Sequence, residues 1–144
     1  MGRPQLERPR AVDPRLALSI DEVRAVFERR RAAWLAEDVP GYLDCWHDDL
    51  VLETPGQSVR GRAAYEELVR QSFAWARPRA FEIHHLAVDG DVALADWTIS
   101  VTRRDDGAVV EWSGMSAAQL RDGRIVRWKE YYKDPEALAR DARD

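Results

Sequence analysis

The chain has 144 residues, of which 45% are hydrophobic and 33% charged, with a net charge of -4. That is the composition of one globular domain rather than of a disordered chain, and it carries no basic footprint for nucleic acid. No apolar run approaches the roughly 20 residues of a membrane span, and the one cysteine, Cys45, cannot pair within the chain, so a reducing, cytoplasmic setting is expected.

Residues 1–18 are rich in proline and arginine without a period and read as a flexible arm, leaving 19–144 as a single domain. Ser19-Ile20-Asp21-Glu22 fits a capping box. Val23, Val26, Phe27, Ala33 and Trp34 then give an amphipathic helix to about Glu37. Asp38-Val39-Pro40-Gly41 breaks it, and Pro40 suits the first turn of a short second helix that carries Tyr42, Leu43, Cys45 and Trp46. Leu50-Val51-Leu52-Glu53 reads as a short strand, followed by a loop to Gly61 and a third helix from Arg62 to about Trp75.

From Arg79 the pattern changes to strands, over Phe81–Val88, Val92–Thr102, Val109–Leu120 and Ile125–Tyr132, separated by Asp89-Gly90, Asp106-Gly107 and Asp122-Gly123. Asp-Gly between apolar runs signals a hairpin, so four antiparallel strands in a meander are expected. Asp134-Pro135-Glu136 opens a short C-terminal helix. Three N-terminal helices beside a long, strongly curved antiparallel sheet make a cone-shaped α+β fold that encloses a pocket.

This order, with Ala36-Glu37-Asp38, His47-Asp48-Asp49-Leu50-Val51-Leu52-Glu53, Val59-Arg60-Gly61-Arg62 and the run Asp122 to Tyr132, resembles the nuclear transport factor 2-like superfamily over about residues 19–140. Its members include ketosteroid isomerase, scytalone dehydratase, limonene epoxide hydrolase and the SnoaL-like polyketide cyclases. The resemblance implies the fold more sharply than the chemistry, because the superfamily mixes enzymes and binders. The position of the isomerase's base falls on Thr54, and those of its first-helix tyrosine and strand aspartate fall near Arg30 and Ser116. Those of the epoxide hydrolase's arginine and two aspartates fall on Trp97, Ile99 and Glu130. Only Glu130 keeps a carboxylate.

Strand pairing offers a check independent of the resemblance. Two-residue turns at Asp106-Gly107 and Asp89-Gly90 place Trp97, Trp112, Ser116 and His84 on one face. A simple turn at Asp122-Gly123 sets Glu130 opposite Met115 on the other face, whereas the resemblance implies that Trp128, Glu130 and Tyr132 point inward. A one-residue bulge reconciles the two.

The expectation is therefore a cofactor-independent acid/base enzyme on a small apolar organic substrate, of isomerase, cyclase, dehydratase or epoxide hydrolase type. Glu130 would move the proton and His84 would assist. Thr54, Ser116 and Tyr132 would bind substrate together with Trp97, Trp112 and Trp128. Charged Glu130 among tryptophans is poorly solvated, which suits proton transfer. The alternative is a non-catalytic module that binds a small molecule or dimerises. No metal is expected: His47-Asp48-Asp49 has no second ligand set and reads as a solvated cap. A homodimer through Val92, Leu94 and Met115 on the outer sheet face is expected, with no nucleic-acid or membrane partner.

Overall fold

The computed structural model describes residues 13, 15 and 17–134. Most of the arm expected over 1–18 and the helix expected after Asp134 lie outside the described residues. Helix α1 (Ile20–Leu35) starts where the Glu22 amide donates to Ser19 Oγ at 3.1 Å, and it faces the sheet with Val23, Val26, Phe27 and Arg30. Helix α2 (Val39–Leu43) is opened by Asp38, which accepts from the Gly41 amide, and by Pro40 in its first turn. Helix α3 (Arg62–Trp75) follows Gly61.

Strand β1 (Trp46–Thr54) begins four residues before the expected Leu50, because Trp46 already pairs with Ile125 of β6. A further strand, β2 (Gln57–Arg60), folds back on it where a loop was expected. The turn is Pro55-Gly56, with Gly56 at φ +84, the proline-then-glycine pattern of a type II turn. The meander follows as β3 (Ala76–Asp89), β4 (Val92–Arg103), β5 (Val109–Arg121) and β6 (Arg124–Tyr132). All six strands form one sheet in the order β2-β1-β6-β5-β4-β3, with β1 parallel to β6.

Two registers differ from the simple turns by two residues. Asp89 pairs with Val92 and Thr102 with Val109, so Trp97 faces Gly114 rather than Ser116. A shift of two keeps every side chain on its expected face. Two bulges have larger consequences. In β6, Leu120 pairs with Ile125 but Gln119 with Arg127, so Val126 is the extra residue. Without that bulge Ile125, Arg127 and Lys129 would share the inner face, and two cations would enter the core. With it, Ile125 and Trp128 are both buried while Arg127 and Lys129 stay exposed. In β3 the register slips between Ile83 and His85, next to the histidine pair.

The curled sheet holds its core on the concave side, where Trp46, Trp97, Trp128, Phe27 and Leu50 are almost fully buried. Rings pack through this core without a break: Phe27 on Trp128 at 5.6 Å, Trp128 on Trp46 at 5.6 Å, and Trp46 edge-on to Tyr65 at 4.7 Å. No helix among the described residues is long and apolar enough to cross a membrane.

Candidate active site

Helix α3 presents Tyr65, Leu68, Val69, Ser72 and Phe73 at i, i+3, i+4, i+7 and i+8, which is one helical face. That face lines a cavity of 590 Å³ between helices and sheet, with Trp34 of α1 and Tyr42 of α2 completing the helical wall. Leu52 and Thr54 enter from β1, and Glu130 and Tyr132 from β6. Gln57, Gln71 and Ser72 are exposed and give the cavity a polar rim.

Two polar groups line the same cavity. On the sheet side, Glu130 accepts a 2.7 Å hydrogen bond from Trp128 Nε1, and Tyr132 lies within hydrogen-bonding reach of Glu130 and Thr54. Burial and the neighbouring Glu130 carboxylate push the Tyr132 phenol up, so it stays protonated. On the helical side, the hydroxyls of Tyr42 and Tyr65 are 2.7 Å apart. Burial, and next the nearby Tyr42, push Tyr65 well above its ordinary value, which keeps it a hydrogen-bond donor or acceptor rather than an anion.

Of the residues expected to form the site, Glu130, Thr54 and Tyr132 line this cavity. Trp97, Trp128 and Ser116 occupy the same face of the sheet but are buried in the core, and none of them lines the cavity; Trp97 Nε1 donates to Ser116 Oγ at 2.8 Å. Trp112, opposite Ile99, is half-buried and packs on the core outside the lining.

The placement of His84 is a correction. The β3 bulge takes it out of the alternation, so His84 Nε2 meets Thr98 Oγ1 at 2.9 Å while His85 Nδ1 meets Asp96 Oδ1 at 2.9 Å. Thr98 and Asp96 both lie on the convex face of β4, so the adjacent histidines do not point to opposite faces as expected. They border a separate cavity of 470 Å³ with Arg24 and Glu28. Among the described residues no His, Cys, Asp or Glu group has the grouping of a metal site.

Three residues take a part that the sequence does not assign to them. Tyr42 and Tyr65 stand on helical faces that the sequence marks only as apolar. Arg30 is 5% exposed, and its guanidinium carbon lies 4.3 Å from the ring centre of Trp128, 5.0 Å from Phe81 and 5.8 Å from Phe27. Its spacing from Val23, Val26 and Phe27 was the available signal, since it continues the buried stripe. Burying a guanidinium costs on the order of several kcal/mol. Each desolvated cation–π contact returns only about 2 kcal/mol.

No curated protein matches the sequence. Solved structures do share the fold. An isomerase candidate from Bacillus subtilis superposes with a TM-score of 0.76 at 20% identity, over 85% of this chain and 92% of that one. An LEH-like epoxide hydrolase from M. tuberculosis gives 0.70 at 24% identity, over 79% and 84%. TerC, co-crystallised with polyporic acid, gives 0.72 at 17% identity, over 85% and 99%. At these identities the likeness establishes the nuclear transport factor 2-like cone and no more. Residues 20–128 match the SnoaL-like domain, and the chain belongs to that family.

Proposed function

We propose that the protein is a cofactor-independent acid/base enzyme that moves a proton on a small organic substrate held in the 590 Å³ cavity. The observation that carries this reading is Glu130, the one carboxylate lining the cavity among the described residues, with one oxygen fixed by Trp128 and a protonated Tyr132 beside it. Glu130 takes a proton from a carbon next to a carbonyl and returns it elsewhere on the same skeleton, as isomerisation or cyclisation requires. The Tyr42–Tyr65 hydroxyl pair donates to the oxygen on which charge develops. Thr54 hydrogen-bonds substrate or water, and Leu52, Leu68, Phe73 and Trp75 exclude solvent. The fold-level likeness to an isomerase candidate and an epoxide hydrolase agrees with this class of chemistry. Buried Cys45, unable to pair within the chain, agrees with a reducing, cytoplasmic setting.

The test is exchange of solvent deuterium into α-carbon positions of enones, epoxyketones and polyketide-like ketones, followed by proton NMR. Glu130→Gln should lower the rate by about 100-fold or more. Full exchange by that variant would remove the central claim. A probe that binds without exchange or product in the native protein would favour the binding-module reading instead.

A homodimer through the convex sheet face is the second part of the reading. Leu94 is 40% exposed, Met115 58% and Tyr131 65%, and all three project from that face. Sedimentation equilibrium should show a dimer; a monomer at every concentration would exclude it.

A further inference from the structure

Among the described residues, two buried side-chain polar atoms lack a hydrogen-bond partner, Arg30 Nε and Trp46 Nε1. Both are donors, and no orphaned acceptor accompanies them. They also sit together: the Arg30 guanidinium rests on the Trp128 ring, and Trp46 packs on that same ring at 5.6 Å. Arg30 makes neither a hydrogen bond nor an ion pair among the described residues. Its charge is permanent, since no accessible pH removes a guanidinium proton. The rings around it supply partial compensation from their faces and none in the guanidinium plane, where its N–H groups point.

This aromatic group is one layer from the cavity. Trp128 donates to Glu130, and Trp46 lies edge-on to Tyr65; both partners line the cavity. Tyr65 feels the charges of both Arg30 and Glu130. The Arg30 charge therefore stands one aromatic layer behind the cavity wall on which Glu130 sits, and Arg30 Nε and Trp46 Nε1 have no acceptor among the described residues.

We propose that the ligand of this cavity is an organic anion, a carboxylate or acidic enol on an apolar body, bound with its charged oxygen toward Arg30. Arg30 is a positioning residue: it sets which end of the ligand goes in first and raises the affinity for the ionised form. This rests on the reading of the cavity as a ligand site and on no reaction within it.

The probes are 2-naphthoate and its neutral isostere 2-naphthamide, with binding followed by tryptophan fluorescence and calorimetry at neutral pH. The native protein should hold the naphthoate about tenfold or more tighter than the amide. Arg30→Met, close in volume, should reduce that ratio to about threefold or less, and Arg30→Lys should keep a preference for the anion. A structural role alone would change both affinities together and leave the ratio untouched. Equal binding of the two probes by the native protein, or a ratio that survives Arg30→Met, overturns the proposal while leaving the cavity as a ligand site. Failure of the native protein to bind either probe overturns the proposal and the ligand-site reading together. If neither variant folds, the ratio in the native protein decides. Retained exchange in Glu130→Gln would instead strike only the proposed reaction.

Discussion

The indole Nε1 of Trp128 donates to Glu130 Oε1 across 2.7 Å, between residues two apart on the concave face of β6. The same indole carries the Arg30 guanidinium on its face. One ring therefore holds a carboxylate at its edge and a cation over its π system, so its identity matters twice. Trp128→Phe keeps a ring but removes the donor and part of the buried volume. A loss of about 3 kcal/mol is expected in urea unfolding. Glu130→Gln keeps an acceptor for the same indole and should cost under about 1 kcal/mol. A loss in Trp128→Phe as small as that in Glu130→Gln would show that neither the indole donor nor its buried volume supports the fold.

Two half-buried phenols make the fold sensitive to alkali. Tyr65 and Tyr132 both ionise less readily in the folded protein than in the unfolded chain. The folded state thus holds its phenolic protons more tightly, and the stability this represents is fully present below the ordinary tyrosine value of about 10. It is lost as pH rises beyond that value toward the folded one. The urea midpoint should fall between about pH 9.5 and 11, and Tyr65→Phe should blunt the fall. A phenolate absorbance titration completed near pH 10, with the protein still folded, would contradict the burial of these groups.

Much of this arrangement was legible in the sequence, because hydrophobic period and turn chemistry are local. The cap at Ser19, the proline at the start of α2, the span of α3 and the four long strands follow from a few neighbouring residues each. The inward face of Glu130 was legible only in part. A simple hairpin at Asp122-Gly123, where both residues have positive φ, places it outside. The bulge at Val126 becomes visible once it is asked where Arg127 and Lys129 would otherwise go. His84 was misplaced for the opposite reason. Nothing in Ile83-His84-His85-Leu86 marks a bulge, since either histidine tolerates the inner or the outer face, and the choice is made by Thr98 and Asp96 on the next strand. The resemblance puts Arg30 near the position of a pocket tyrosine, but its burial is not legible from the helix alone. Its burial depends on three rings from three separate elements.

Gly114 is fixed by its cross-strand partner. A Cβ there would lie 2.5 Å from the Tyr131 carbonyl oxygen and 2.8 Å from Cη2 of Trp97, whose indole covers the glycine. Backbone cannot yield easily, and Trp97 is anchored by its hydrogen bond to Ser116. Gly114→Ala should destabilise the fold by about 1–3 kcal/mol and alter the near-ultraviolet circular dichroism. An unchanged spectrum with unchanged stability would mean that Trp97 does not lie over this position.

His84 and Tyr65 separate the site expected from sequence from the one proposed for the 590 Å³ cavity. His84 is exposed and bonded to Thr98 on the convex face, whereas Tyr65 lines the cavity and shares a short hydrogen bond with Tyr42. His84→Ala should leave stability within about 0.5 kcal/mol. It should also leave deuterium exchange into a ketone probe within about twofold. Tyr65→Phe preserves the ring packed on Trp46 but removes one hydroxyl of the pair. It should slow exchange by about tenfold or more, with circular dichroism unchanged, because the proposed mechanism loses a donor to the developing oxyanion. A large loss in His84→Ala with none in Tyr65→Phe would move the chemistry to the 470 Å³ cavity beside α1, where Arg24, Glu28 and the two histidines meet. That outcome would take Glu130 out of the mechanism as well, since it lines the other cavity.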